Sequence, residues 1–361
     1  MLVKSSYEPQ DVTFLLKDLS HISLERATEE REKAIQSGIH YSEMLPIEYQ
    51  PSETYWQLYY DALAKHKKQV AIATGVVSES IMDKHGICIV LVSLVRAGTP
   101  IGILIKRYLQ QYYKVNIPHY SISIIRGKGI DYNALQYIIN EHPTSHIVFI
   151  DGWTGKGAIT QQLITSIKQF NQTYNTAIEP ALAVLADPAY CATYYGTRKD
   201  FLIPSACLNS VVSGLVSRSV LHDEWIGPDD YHGAKSYPEL KDQDVSREYI
   251  ATIVAEFISC EPEIQQQYNL MSTVDHILTW QGMQDIKQIQ DRYRITDHNL
   301  VKPGVGETTR VLLRRIPWKI LVRDSNNPDL AHIIQLAHER GVKVESYPAM
   351  TYACCGLIEP M

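Results

Sequence analysis

The residues best suited to chemistry in this chain are Asp151 and the turn that follows it, Gly152-Trp153-Thr154-Gly155-Lys156-Gly157. A carboxylate at the end of a strand accepts from sugar hydroxyls or shares a Mg²⁺ with a phosphate. Glycines let backbone N–H groups converge on an anion, and a helix starting behind them favours negative charge there. Lys156 adds a mobile cation. The flanks supply the two elements such a site needs. His146 to Ile150 is a short β-branched apolar run, which predicts a buried strand, and Ile159, Leu163, Ile164, Ile167 and Phe170 recur at helical spacing. The turn is neither a Walker loop nor the Gly-x-Gly-x-x-Gly dinucleotide fingerprint. It points to a phosphorylated sugar without saying which one.

A second unit of the same design precedes it. Ile87 to Leu94 reads as a fully buried strand, and Val95-Arg96-Ala97-Gly98-Thr99-Pro100 follows, with Thr99 suited to an N-cap and Pro100 to the first helical position. Ile101, Leu104, Ile105, Tyr108 and Leu109 then form one helical stripe. His119 to Ile125 predicts a strand running into the mobile basic piece Arg126-Gly127-Lys128-Gly129. Ala181 to Ala186 is a strand ending at Asp187, and Phe201 to Ile203 is a further candidate. Strands alternating with helices imply right-handed crossovers and a mainly parallel α/β sheet. Ligands of such sheets sit beyond the carboxyl ends of the strands. That rule gathers Arg96, Arg126, Lys128, Asp151, Lys156 and Asp187 at one rim.

At 361 residues the chain predicts two domains, each able to bury its own core. The apolar fraction of 45% and charged fraction of 20% exclude a disordered or fibrous chain. A net charge of −6 excludes a protein that coats nucleic acid or anionic membrane over its whole surface. The charge is uneven, however: from Gln290 onward there are 10 basic and 8 acidic residues, against 24 and 32 in the remainder. The six cysteines show neither a disulfide framework nor C-x-x-C spacing, which fits a reducing compartment. MLVKSSYEPQDV lacks the apolar segment of a signal peptide, and the run from Ile87 to Val95 is too short to span a bilayer. The expectation is a cytoplasmic protein with no membrane partner.

Before the first strand, a helix rich in Tyr and Trp is expected from Ser52 to about Lys68. After Asp187, the stretch Asp223 to Asp244 reads as a surface excursion, with helices at Ser246 to Ile258 and Val274 to Gln290. A compositional shift between Gln281 and Arg292 sets the domain boundary, giving residues 1–284 and 285–361. In the second part, Lys302 to Glu307 is a turn leading into a helix through Arg310, Leu313 and Arg314. A strand at Trp318–Val322, a helix at Pro328–Arg340 and a strand at Val342–Ser346 complete a small α/β module. Arg310, Arg314 and Arg315 fall near one helical face and Lys302 sits in the turn, a pattern suited to phosphate contacts. The vicinal pair Cys354 and Cys355 is weak as a soft-metal site.

Arg96-Ala97-Gly98 after an apolar strand resembles the pyrophosphate loop of type I phosphoribosyltransferases, and Asp151 with Thr154-Gly155 resembles their phosphoribosyl diphosphate loop. This loop is shorter, and Gly152 stands where a second acidic residue is expected, which leaves Asp187 or another carboxylate as a substitute. The blocks His40–Pro46, Val95–Pro100, Asp151–Gly157 and Gly196–Asn209 resemble the StiP family, which is similar to phosphoribosyltransferases and associated with tellurite-resistance gene clusters. Lys302-Pro303-Gly304-Val305-Gly306-Glu307-Thr308-Thr309-Arg310 resembles a Pelota-type RNA-binding domain. The first resemblance implies transfer from phosphoribosyl diphosphate with Mg²⁺ to an unnamed acceptor. In it Arg96, Arg126 and Lys128 neutralise the departing pyrophosphate, and Asp151 orients the ribose. Ala97, Gly98, Thr99, Gly152, Trp153, Thr154, Gly155, Lys156, Gly157 and Asp187 then complete substrate binding. The second implies a cysteine protease, for which Cys207, followed by His222-Asp223, is the candidate nucleophile. The third implies RNA contacts by Lys302, Gly304, Gly306, Arg310 and Arg314. A protein that keeps the fold and binds phosphoribosyl ligands and RNA without turnover is the remaining alternative.

Overall fold

The computed structural model describes residues 1–48, 50–273, 277–314 and 316–359. Six parallel strands form its main sheet, in the spatial order Thr13–Phe14, His119–Ile122, Ile89–Leu94, His146–Trp153, Leu182–Ala186, Tyr194–Thr197. Period-two alternation divides each central strand between two cores. Leu91, Val148 and Ala183 join the cluster beneath the helices Glu53–His85 and Gly98–Tyr113, whereas Val92, Phe149 and Val184 join the one beneath Tyr132–Glu141 and Ala158–Tyr174. From Ile89–Leu94 the chain moves first to one side of the sheet and then to the other. The strand order therefore reverses between Ile89–Leu94 and His146–Trp153, and a crevice opens there at the carboxyl ends.

Several expectations change in detail. The aromatic helix does not stop near Lys68 but runs on to His85, because Val70, Ala73, Val76, Val77 and Ile81 continue its buried face. Ile87 is exposed, so its strand starts at Ile89. The helix expected to start at Thr99–Pro100 starts at Gly98, and Thr99 is not its cap: the Thr99 hydroxyl shares a hydrogen bond with Ser121 Oγ at 2.7 Å. The piece after Ile122 folds back as a short antiparallel pair, Ile124–Ile125 with Gly129–Ile130, and Arg126–Lys128 form its turn. The candidate strand at 201–203 is extended chain leading into a 3₁₀ turn, Pro204–Ala206. The sixth strand is Tyr194–Thr197 instead. Of the helix expected from Val274, residues 274–276 lie outside the described residues, and the helix present is Gln281–Tyr293, which continues across the 284/285 boundary.

The C-terminal module has its own four-stranded sheet, in the order Val301–Pro303, Cys354–Leu357, Lys319–Val322, Lys343–Ser346. Cys354–Leu357 runs antiparallel to both its neighbours, and the last pair, Lys319–Val322 with Lys343–Ser346, is parallel. Cys354–Leu357 was not anticipated. The vicinal cysteines are strand residues, and both are fully buried. This module packs on the first through apolar contacts: Tyr352, Ile286 and Val301 share a cluster with Ala189 and Cys191. No helix among the described residues is long and apolar enough to cross a membrane.

Candidate functional site

The strand carrying Asp151 runs through Trp153, two residues further than expected, so the turn is Thr154–Gly157 and the helix starts at Ala158. That helix has no side-chain cap, and Gly157, at φ +80°, turns the chain into it in the left-handed region that favours glycine. The first-turn residues Ala158, Ile159 and Thr160 line a cleft of about 500 Å³. Their backbone donors have no partner within the helix, which suits an anion.

Asp151 opens partly onto this cleft. One carboxylate oxygen accepts the Gly152 N–H at 2.8 Å, and burial raises the carboxyl to about 7. Lys156 also lines the cleft, donating to the His298 carbonyl at 2.7 Å, and burial lowers its ammonium to about 8. Arg126 reaches the same cleft from the short hairpin, with Tyr41 under its guanidinium at 5.7 Å.

Other expected residues are placed differently. Arg96 does not reach this cleft: its guanidinium donates to Glu48 at 3.2 Å and towards the Val216 carbonyl. Lys128 lines neither this cleft nor the cavity beside it. Asp187 is fully buried and does not substitute for the missing acid on the cleft. It accepts from Thr154 Oγ1 at 2.6 Å and from the Cys191 and Ala192 amides, and it pairs with Arg198. Arg198 in turn lies against the rings of Tyr190 and Tyr195. Burial raises the Asp187 carboxyl, and Arg198 opposes the rise. The Thr154 hydroxyl is thus committed inward, and Asp187 holds the turn in place. Gly98 serves packing: a Cβ there would overlap the Ile150 carbonyl oxygen.

The C-terminal module closes the cleft. Lys302, expected to face RNA, lines it together with Asn299, Glu307 and Arg310. Arg310 donates from Nε to the Ala206 carbonyl at 2.7 Å, and its guanidinium is 5.8 Å from the Trp153 ring. Gly306 lies against Ala206 and Trp153, where a Cβ would make ordinary contact at 3.5 and 3.6 Å. Gly304 passes over Asp200, whose two carboxylate oxygens accept the Val305 and Ala353 amides at 3.0 and 2.8 Å. Tyr352 donates to the Gly155 carbonyl at 2.7 Å. The Lys302–Arg310 face is therefore turned towards the first domain. Arg314 ends the helix with its side chain outside the described residues, as is Arg315. Nothing in the sequence signalled this docking, although two glycines beside a basic helix are compatible with a close approach.

Cys207 is buried behind a 3₁₀ turn, and burial pushes its thiol up to about 12. The charged group acting on it is Arg310, not His222, whose ring nitrogen instead accepts the Glu224 amide. Cys191, Cys260, Cys354 and Cys355 are likewise buried with raised thiols. A nucleophilic thiol needs the opposite environment.

Residues 5–254 match the family described as tellurite-like stress resistance cysteine protease StiP. A cysteine protease StiP from Acinetobacter baylyi is 35% identical over 362 residues, spanning 96% of this chain and 93% of its own length. The chain belongs to the StiP family. Its residues 280–360 match the Pelota RNA-binding domain. Looser likenesses link this StiP protein to solved phosphoribosyltransferases. The Helicobacter pylori xanthine-guanine-hypoxanthine enzyme overlaps with a TM-score of 0.23 at 16% identity, over 40% of this chain and 81% of that one. The Trypanosoma cruzi hypoxanthine enzyme gives 0.24 at 14% identity, over 56% and 93%. At those scores the overlap carries no argument about the site.

Proposed function

We propose that the cleft binds phosphoribosyl diphosphate or a closely related phosphorylated sugar, and that its chemistry is displacement of pyrophosphate at the anomeric carbon. The observation that carries this reading is the convergence of Arg126, Lys156, Lys302 and Arg310, from two domains, with Asp151 and an uncapped helix N-terminus. Such a lining matches a ligand with several phosphates and a sugar. The helix start and Lys156 take one phosphate; Lys302, Arg310 and Arg126 take the other charge. Asp151 accepts from a ribose hydroxyl, and a carboxyl titrating near neutrality can also take up a proton.

In the transfer, the acceptor's nucleophilic atom bonds to the anomeric carbon as the bond to pyrophosphate oxygen breaks. The electron pair leaves on pyrophosphate, and the acceptor's proton passes to Asp151 or to water. Charge builds on the departing group, so fixed cations around it lower the barrier, and removing one such partner costs on the order of 100-fold. For Mg²⁺ the residues fit only a shared site. Among the described residues no group of three or more His, Cys, Asp or Glu could hold a metal, but Asp151 and Glu307 both line the cleft. Mg²⁺ commonly needs only one or two carboxylates when phosphates supply the other ligands. When bound, it would add charge neutralisation at the pyrophosphate.

Titration of the full chain with phosphoribosyl diphosphate and Mg²⁺ by calorimetry tests the reading. Saturable binding, lost in Lys156→Ala, is expected. No heat of binding at millimolar ligand sinks it.

A further inference from the structure

A smaller cavity of about 250 Å³ adjoins the cleft, and Ala97, Trp153 and Arg310 line both. Part of its wall is apolar, from Ile124, Ile125 and Leu208. The rest is cationic, from Arg96 and Arg218. Glu48 accepts from Arg96 at 3.2 Å and from the Ser210 amide at 2.7 Å, so its charge is already shared. Among the described residues Arg218 has no carboxylate at ion-pair distance, and its Nε is buried without a hydrogen-bond partner. The buried Ser219 hydroxyl, on the same wall, also lacks one. Arg218 has Tyr41 at 5.8 Å from its guanidinium, and Arg126 of the cleft lies 5.7 Å from the same ring. Burial, with Arg31 and Arg96 adding like charge, holds the guanidinium down to about 10.

A half-buried cation with no carboxylate at ion-pair distance, whose Nε and the neighbouring Ser219 hydroxyl are both orphaned, is costly to maintain. A protein that needed only packing here would place an apolar side chain. A guanidinium fork suits a planar acid group, and the volume suits a single ring rather than a nucleotide.

We propose that this second cavity binds the acceptor substrate, and that the acceptor is a small ring carrying a carboxylate. Arg218 and Ser219 take the carboxylate, Arg96 adds charge, and Ile124, Ile125 and Leu208 cover the ring. The gap past Trp153 and Arg310 presents the ring to the neighbouring cleft. This rests on the phosphoribosyl reading of that cleft for the word acceptor, but the acid pocket itself does not.

The test is calorimetry on the full chain with two matched pairs, nicotinate with nicotinamide and benzoate with benzamide. Each acid is expected to bind at least about tenfold tighter than its amide. Arg218→Gln should abolish that preference while leaving binding of phosphoribosyl diphosphate within about twofold, and Arg218→Lys should keep part of it. Equal binding of acid and amide, or a preference that survives Arg218→Gln in folded protein, overturns the proposal. So does full competition of benzoate by inorganic phosphate at similar concentration, which would make the cavity a phosphate subsite. If phosphoribosyl diphosphate fails to bind while the acid preference persists, the reading of the cleft falls and the acid pocket stands.

Discussion

Two strand-to-helix turns, each with glycine, lie side by side at the point where strand order reverses, yet their glycines meet different surroundings. At the first, Arg96 is held by Glu48, and the backbone at Gly98 presses against the Ile150 carbonyl of the neighbouring strand. At the second, Gly155 lines the cleft and meets only Glu307 Oε1, at 3.4 Å, whereas Gly152, expected to bind substrate, is buried in the strand against Ala97 and does not line the cleft; the helix behind them starts without a cap. The first glycine is there so that two backbones can touch, and Gly155 leaves room for a ligand. Similar composition therefore supports opposite jobs, and the difference lies in what stands opposite.

The largest effect expected from this contrast is at Gly98. A Cβ there meets backbone, which cannot swing aside as a side chain can. Gly98→Ala should lose about 3 kcal/mol of stability in urea unfolding, at the upper end for over-packing, and should displace Asp151 with it. A loss under about 1 kcal/mol would mean that the two loops are not in contact.

Much of this was legible before the fold was known, and the reasons are local. The apolar runs and helical stripes around Asp151 and Ile101 depend on neighbours a few residues away, so period and composition are enough to read them. The strand-end rule placed Asp151 and Arg126 correctly because it needs only topology. What stayed hidden depends on distant partners. Asp187 reads as a rim carboxylate until Thr154 and Arg198 are seen to consume it. Arg310 and Lys302 read as an exposed basic face, and only the fold shows that Asp200 and Ala206 hold this segment against the first domain.

That docking gives the next expected effect. Asp200→Ala removes the acceptor for two amides, Val305 and Ala353, each worth about 1 kcal/mol or more. Thermal unfolding should shift down by about 2 kcal/mol equivalent, and the closed turn at Gly98 should be untouched. Affinity for phosphoribosyl diphosphate should fall as Lys302 and Arg310 move away. If filter binding shows that structured RNA at low salt binds this variant more tightly than the natural chain, the docked face and the RNA-binding face are the same surface. Unchanged binding of both ligands would separate the module from the cleft.

At Asp151 the sign is reversed, because the strand that feeds the second turn carries a carboxyl that the folded chain favours in its protonated form. Its folded value of about 7 lies above the ordinary 3.8. The folded state therefore carries little cost below about pH 4, and the full cost once pH passes about 7. A three-unit shift corresponds to about 4 kcal/mol, and partial opening onto the cleft reduces that to about 2. Asp151→Asn should be more stable by roughly that amount at pH 8, with no gain at pH 4, while sugar-phosphate binding weakens. A variant equally stable at both pH values would show that the carboxyl is solvated in the free protein.

The smallest effect is expected at Gly155, and it completes the comparison. A Cβ there would meet only Glu307 Oε1, at 3.4 Å, the far end of a flexible side chain. Gly155→Ala should change urea stability by less than about 0.5 kcal/mol, as do surface substitutions away from special backbone positions. Binding is the sensitive readout, because the added methyl points towards the cleft that Glu307 and Lys156 share. A several-fold loss of affinity for phosphoribosyl diphosphate with stability intact would show that this glycine is kept for the ligand. A loss of stability comparable to that of Gly98→Ala would instead make both turns packing devices, and would move the search for the ligand to the neighbouring cavity around Arg218.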